Sequence, residues 1–195
     1  MPLPRLVFAT RNPGKVKEIA ELLGGHFDIV GLADIGCHED VPETADTIEG
    51  NAIQKAEYVK EHYGVDCFAD DTGLEVNALG GAPGVHTARY AGPAKDAGAN
   101  MDKLIGALEG QSDRGARFKT VIALTGAQGT QTFEGICVGT IAAAKSGVDG
   151  FGYDPVFVPE GGTATFAEMD AATKNSISHR GKAVRAMVAK LKNGG

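Results

Sequence analysis

Two stretches of this chain put chemically capable side chains where a strand ends and a turn begins. In one, Asp70-Asp71-Thr72-Gly73 follows the apolar run Val65–Ala69, so two carboxylates and a hydroxyl emerge together. Carboxylates leaving an apolar run are costly to bury unless they are paired or bound to a metal. With Glu43 elsewhere they supply the hard oxygen ligands that Mg²⁺ prefers, and one of them is suited to orient or deprotonate a water attacking phosphorus. A solvated acidic turn is the other use of the same residues. In the second stretch, Thr10-Arg11-Asn12-Pro13-Gly14-Lys15, a glycine turn opens a helix. A helix start offers unpaired N–H groups and a positive partial charge, to which Thr10, Asn12 and Lys15 add a hydroxyl, an amide and an ammonium. That makes an anion cradle, with ordinary loop chemistry as the alternative.

Three further groups belong beside these. Lys55 borders an apolar helical stripe, where it either reaches into a cleft or snorkels with its stem over apolar surface. Gly150-Phe151-Gly152-Tyr153-Asp154-Pro155 combines two aromatic rings, flexible backbone and one acid, as a flat heterocyclic base requires; such rings also simply pack down. Ser176-Ile177-Ser178-His179-Arg180-Gly181 brings donors to a helix start, suited to a base carbonyl, a phosphate or plain capping. Lys174, read alone, is a surface charge. Neither GK pair completes a P-loop, since Ala9 and Ser176 stand where its first glycine belongs. GxGxxG, HExxH and GxSxG are also absent, and the five histidines lack metal-ligand spacing.

The elements that must position these residues follow from periodicity. Leu6–Thr10 reads as a buried strand, followed by a helix with Val16, Ile19, Ala20 and Leu23 on one face. The apolar run Asp28–Leu32 precedes a polar stretch through Asp46. Ala52, Ala56, Val59 and Tyr63 then form a second helical stripe, capped by Asp46 or Thr47. Val65–Ala69 and Leu74–Val76 read as strands broken at Asp70–Gly73, and Gly80–Gly84 as loop. A helix is expected over Asp96–Leu108, then an antiparallel hairpin of Phe118–Thr125 and Thr132–Thr140 turning at Gly126–Gly129. Phe151–Val158 is expected to line a surface. Val184, Met187, Val188 and Leu191 give a last helix its apolar face, with Ser178 as its cap. The order predicts one α/β domain over 1–195, with a mixed central sheet flanked by helices in two lobes.

Composition narrows the class of function. The 195 residues hold 43% apolar side chains, enough for one sizeable core, so disorder is excluded. A formal charge of −6 disfavours a nucleic-acid surface, which draws on clustered Lys and Arg, but leaves room for a small anionic ligand in a basic pocket. Apolar runs such as Val121–Leu124 fall far short of a membrane span, and Met1–Ala9 lacks a secretory core, so a cytoplasmic protein is expected. Cys37, Cys67 and Cys137 form no CxxC pair and read as reduced, packed thiols. Glycine, at 28 residues, runs to about twice average usage and points to many tight loops.

Taken in order, ATRNPGK at 9–15, FADDTGLEVNALGGAPGVHTARYAG at 68–92, GFGYDPVF at 150–157 and KNSISHRGKA at 174–183 resemble the inosine triphosphate pyrophosphatase family, also called Ham1-like. The resemblance covers nearly the whole chain. It implies two lobes around a nucleotide-binding cleft and hydrolysis of deaminated purine triphosphates (ITP, dITP, XTP) to the monophosphate and pyrophosphate. It also implies Mg²⁺ as cofactor, a homodimer, and no nucleic-acid or membrane partner. By the same resemblance Thr10, Arg11, Asn12, Pro13, Gly14 and Lys15 bind the triphosphate with Lys55. Thr72 lies beside the substrate, Glu43 and Asp71 hold the metal, and Asp71 accepts the proton. Phe151, Gly152, Tyr153 and Asp154 form the base site, and Lys174, His179 and Arg180 complete the substrate contacts.

Donors from His179, Arg180 and backbone N–H groups facing a 6-keto oxygen would reject adenine, whose 6-amino group sets donor against donor. Two departures from the family pattern stand out: Arg11 occupies a position where many relatives have glycine, and Gly50 one where an acid is common. Arg11 is thereby expected to add a phosphate contact. Glu39 and Glu49 remain substitutes for Glu43 as metal ligand. A nucleotide-binding regulatory module without chemistry, and a pyrophosphatase for other modified nucleotides, are the competing functions.

Overall fold

The structure is a computed structural model that describes residues 3–23 and 25–193; Met1 and Pro2, at the head of the Met1–Ala9 stretch, lie outside the described residues. Its elements alternate in a mixed α/β order: β1 (Arg5–Phe8), α1 (Pro13–Leu23), β2 (Asp28–Val30), α2 (Ile48–Tyr63), β3 (Cys67–Val76), β4 (Pro83–Gly84), α3 (Ala97–Ala107), β5 (Gly115–Gly126), β6 (Gly129–Ile141), β7 (Phe157–Pro159), α4 (Ala171–Ile177) and α5 (His179–Asn193). The chain divides into two compact units, one of 1–71, 120–135 and 180–195 and the other of 72–119 and 136–179.

In the first unit the strand order is β2-β1-β3-β5-β6, with β1 parallel to both β2 and β3. Successive strand residues point to opposite faces, and the core sorts accordingly. Val7, Ala9, Cys67, Ala69, Val121 and Ala123 pack with Ala52, Ala56 and Val59 of α2. Leu6, Phe8, Phe68 and Ile122 pack on the other side with Ile19 and Leu23 of α1 and Ala183, Val184 and Met187 of α5. Helices thus cover both faces of this part of the sheet, and the two phenylalanines Phe8 and Phe68 stack with centroids 4.4 Å apart. Truncating Ile19 or Leu23, both fully enclosed, would cost about 2–5 kcal/mol each.

In the second unit β4 pairs antiparallel with β3, and β7 pairs antiparallel with β6. Leu74, Val76, Met101, Leu104, Leu108, Phe118, Phe157 and Phe166 make its core. β5 and β6 are neighbours joined by Ala127 and Gln128, a two-residue turn that makes them a hairpin.

Several expectations need correction. β3 runs unbroken from Cys67 to Val76, through the acidic tetrapeptide expected to end it. Pro83–Gly84, expected as loop, forms a two-residue strand on β3. Ala20 is exposed while Glu18 is buried, so the inner face of α1 is polar at one position. Phe151–Val158 does not line a surface, because Tyr153, Asp154, Val156 and Phe157 are buried. α4, capped by the Asp170 side chain on Thr173 N, was not expected, and Ser178 ends it immediately before α5 begins. The cap of α2 is Thr47, whose side chain accepts from Gly50 N.

Candidate active site

The alternation of β3 decides what its two acids do. Asp70 falls on the side of Phe68, toward α1 and α5, and Asp71 on the side of Ala69, toward α2. Asp70 is fully buried and accepts Lys15 Nζ at 2.9 Å and Arg180 Nε at 3.2 Å. The Arg180 guanidinium also donates to Glu18, so a row of alternating charge runs Lys15, Asp70, Arg180, Glu18. Burial alone would raise the Asp70 carboxyl, but Lys15, Arg180 and Lys55 outweigh it and hold the group well below the ordinary carboxylate range. Lys15 is lowered by its own burial, which Asp70 opposes.

Asp71 lies in a different field. Lys55 Nζ donates to Glu43 Oε1 at 2.7 Å, to the Asp70 carbonyl at 2.7 Å and to Asp71 Oδ1 at 3.4 Å. Burial raises the Asp71 carboxyl above its ordinary value, against the pull of Lys55 and Lys15 and with the help of Glu43 and Asp70. Burial would lower Lys55, yet Asp71, Glu43 and Asp70 together hold it raised. Lys55 is therefore no snorkelling surface residue: its side chain is only 7% exposed and its charge turns inward onto carboxylates.

The segment that carries Glu43 is held by one face of α2. Asn51 accepts from Ala45 N, Gln54 accepts from Thr44 N, Lys55 reaches Glu43, and Tyr58 and Tyr63 donate to the Glu39 carboxylate. Positions 51, 54, 55 and 58 share a helix face. Of the three candidate acids Glu43 shares Lys55 with Asp71, whereas Glu39 is turned to the tyrosines and Glu49 accepts from Thr132. Glu43 and Asp71 converge on one ammonium, which marks the pair as a place for positive charge. Among the described residues no three His, Cys, Asp or Glu side chains form a ready cation cage. Two carboxylates suffice for Mg²⁺, which is commonly held by one or two together with substrate phosphates, so the donor set fits that ion.

The Thr10–Lys15 loop is wound on itself. Thr10 Oγ1 accepts from Asn12 N at 3.2 Å, and Asn12 Oδ1 accepts from Gly14 N at 2.9 Å and Lys15 N at 3.3 Å. Asn12 thus caps α1, and Pro13 opens the helix, where a missing N–H costs nothing. The loop's leading N–H groups are taken by the cap, so the cradle in this structure is not the open one the sequence suggests. Arg11 points to the Glu39 carbonyl and the Asp40 carboxylate.

In the second unit Lys174, read from sequence as a surface charge, is buried: Nζ donates to Asp154 Oδ2 at 2.7 Å and lies 5.1 Å from the Phe151 ring centroid. Asp154 Oδ2 also accepts from Phe151 N at 2.8 Å. A Cβ at Gly150, whose φ is +76°, would fall 2.1 Å from that oxygen, so any side chain there must displace the carboxylate. Gly152 also has positive φ, at +63°. Tyr153 donates its hydroxyl to the Thr87 carbonyl and buries its ring in the core, so Phe151 is the half-exposed ring of the pair. The His179 ring stacks on Phe118 at 4.5 Å. Thr72, half-buried, follows Asp71 on β3.

Sequence reasoning missed Glu18, Asp70 as a counter-ion, Gly150 and the α2 residues that hold Glu43. Arg180, expected to contact substrate at a base carbonyl or a phosphate, directs its guanidinium to Asp70 and Glu18 because burial demands compensation for its charge. For Glu18 a signal existed, namely an acid three residues after Lys15 beside the buried Ile19.

A family model described as the Ham1 family matches residues 6–190. A Porphyromonas gingivalis protein named dITP/XTP pyrophosphatase is 58% identical over 183 residues, covering 93% of this chain and 94% of that one. A Christiangramia forsetii protein of the same name is 54% identical over 184 residues, covering 94% and 97%. Among solved structures, the Staphylococcus aureus Ham1 protein superposes with a TM-score of 0.88 at 38% identity, covering 98% of this chain and all of that one. With that match over residues 6–190 and relatives 54–58% identical over nearly its whole length, this chain belongs to the Ham1 family.

Proposed function

We propose that this chain hydrolyses non-standard purine nucleoside triphosphates (ITP, dITP and XTP) to the nucleoside monophosphate and pyrophosphate, clearing deaminated purines from the nucleotide pool. The observation that carries the reading is Asp71: a carboxylate raised by burial, set beside Lys55 and Glu43. The shared name of relatives that match nearly the whole chain supports the substrate class.

Asp71 takes a proton from water as the water oxygen forms its bond to the α-phosphorus. The bond from that phosphorus to the bridging oxygen breaks, and pyrophosphate leaves with the electron pair. Glu43 and Asp71 would hold Mg²⁺, which when bound would neutralise phosphate charge. Lys15 and Lys55 supply further positive charge, with Thr10, Asn12, Pro13, Gly14 and Thr72 lining the phosphates, while the Arg11 side chain turns to Glu39 and Asp40. Phe151 offers a ring to the purine, supported by Gly152, Tyr153, Asp154 and Lys174. His179 and backbone N–H groups provide donors for a 6-keto oxygen, while Arg180 acts through Asp70. Each donor left facing adenine's amino group costs about 1–3 kcal/mol, and ~1.4 kcal/mol is tenfold, so ATP is a poor substrate.

In this reading residues 1–195 act as one catalytic domain on free nucleotides. The compartment is the cytoplasm, which three free and buried thiols suit; no helix among the described residues is long and apolar enough to cross a membrane. The active form is a homodimer, which sedimentation velocity tests.

The deciding experiment measures pyrophosphate release from ITP, XTP, dITP, ATP and GTP with Mg²⁺ and with EDTA, and identifies the nucleotide product. Mg²⁺-dependent conversion of ITP and XTP to monophosphate is expected. Orthophosphate with a diphosphate product would move cleavage to the γ-phosphorus and overturn the reading. Tight ITP binding without turnover would replace it with the regulatory module.

A further inference from the structure

The segment Glu39–Ala45 has two kinds of fastening. Along its length it is held by α2, with Asn51 on Ala45, Gln54 on Thr44, Lys55 on Glu43, and Tyr58 and Tyr63 on Glu39. At its beginning it is held from elsewhere, by a side chain of the phosphate loop. Arg11 donates from one guanidinium nitrogen to the Glu39 carbonyl and from another to Asp40 Oδ1 at 3.2 Å. A planar guanidinium suits two acceptors at fixed spacing in a way an ammonium does not. Asp40 itself is almost fully exposed, and its carboxylate accepts the arginine.

We propose that Arg11 is a positioning residue for the metal-binding acid: it ties the phosphate loop to the segment that carries Glu43, and so links occupation of the phosphate site to the placement of that carboxylate. This rests on the assignment of Glu43 and Asp71 as metal ligands made above. It differs from the expectation that Arg11 contacts phosphate directly. The guanidinium is spent on the segment, and Lys15, from the same loop, carries the charge nearest Asp70.

The test uses Mn²⁺ alone as probe, with free Mn²⁺ followed by electron paramagnetic resonance during titration of wild type, Arg11→Ala, Arg11→Lys, Asp40→Ala and Asp71→Asn. Melting temperatures and the KM for ITP are measured on the same preparations. A lost charge-assisted bond of this kind predicts about five-fold weaker Mn²⁺ binding in Arg11→Ala. Arg11→Lys recovers part of it, and Asp40→Ala shows a smaller loss in the same direction. Melting temperatures close to wild type distinguish positioning from general loosening. If Arg11→Ala binds Mn²⁺ as wild type does but raises the KM for ITP, Arg11 is a phosphate contact and the proposal is overturned. In that case Asp40→Ala would strengthen nucleotide binding by freeing the arginine. If wild type and Asp71→Asn bind Mn²⁺ equally weakly, the ligand assignment fails and the proposal falls with it, a result distinct from failure of the tether alone.

Discussion

Asp70 and Asp71 are adjacent on β3 and answer to different lysines: Asp70 accepts Lys15 at 2.9 Å, and Asp71 meets Lys55 at 3.4 Å. The pleat separates their environments, so one carboxyl is held low by cations and the other is held high by burial. In the proposed reaction a pair of identical side chains thereby takes two tasks, a buried counter-charge and a base.

Asp71→Asn removes the proposed base with little change in volume. The expected result is a fall in kcat of about 10²–10⁴, the usual span for general base catalysis, with circular dichroism and Tm close to wild type. Steady-state kinetics on ITP check it. Wild-type turnover in a folded variant would remove Asp71 from the mechanism.

Asp70→Asn acts on stability first. It leaves Lys15 and Arg180 without their shared carboxylate, and breaking a buried pair from one side costs about 3–5 kcal/mol. The pH dependence has a fixed sign. Because the folded carboxyl is depressed, its contribution is complete above the unfolded value of about 3.9 and is lost as pH falls from there toward the folded value. Denaturant melts of wild type and Asp70→Asn should therefore differ at pH 7 and converge as the solution is acidified below about pH 4. Parallel curves would show that Asp70 is not the titrating contributor.

Gly150→Ala forces a methyl against Asp154 Oδ2 at a positive φ. Strain of this kind costs about 1–3 kcal/mol. Because the displaced carboxylate holds both Phe151 N and Lys174, the KM for ITP should rise more than kcat falls. Kinetics with ITP and with inorganic pyrophosphate as competitor separate the base side from the phosphate side. A KM unchanged for ITP would detach Asp154 from base binding.

Cys67 is enclosed and its thiol is pushed up to about 11 by burial. Since the thiolate is the reactive form, iodoacetamide at pH 8 should leave it unmodified in the native protein and alkylate it after denaturation. Mass spectrometry of the two samples reads the difference. Rapid native labelling at Cys67 would mean the sheet face against α2 opens readily.

The helices were legible: α1, α2 and α5 fall where their apolar stripes place them, and α3 falls within the helix expected over Asp96–Leu108. The acidic tetrapeptide was misread as a break, because its charges are neutralised by Lys15, Lys55 and Arg180, which lie far off in sequence. Local composition cannot report such compensation. Lys174 fails in the same way, since its partner Asp154 lies twenty residues before it and its burial depends on Phe151 and Phe166. Glu43 was weakly marked because its position is set by the face of α2 rather than by neighbours in its own segment. The family resemblance named the residues, and the geometry assigned several of them different partners.

The chain passes between its two units within β3, β5 and β6 and again at the start of α5. No contiguous piece therefore contains a whole first unit. As the polypeptide leaves the ribosome, Lys15 and Asp70 emerge early, but Arg180 and the apolar residues of α5 that cover Phe8 and Phe68 emerge only with that helix. The buried charge row is completed only when α5 arrives. Asp70 must therefore wait, with only part of its countercharge, while the 110 residues that separate it from Arg180 are made.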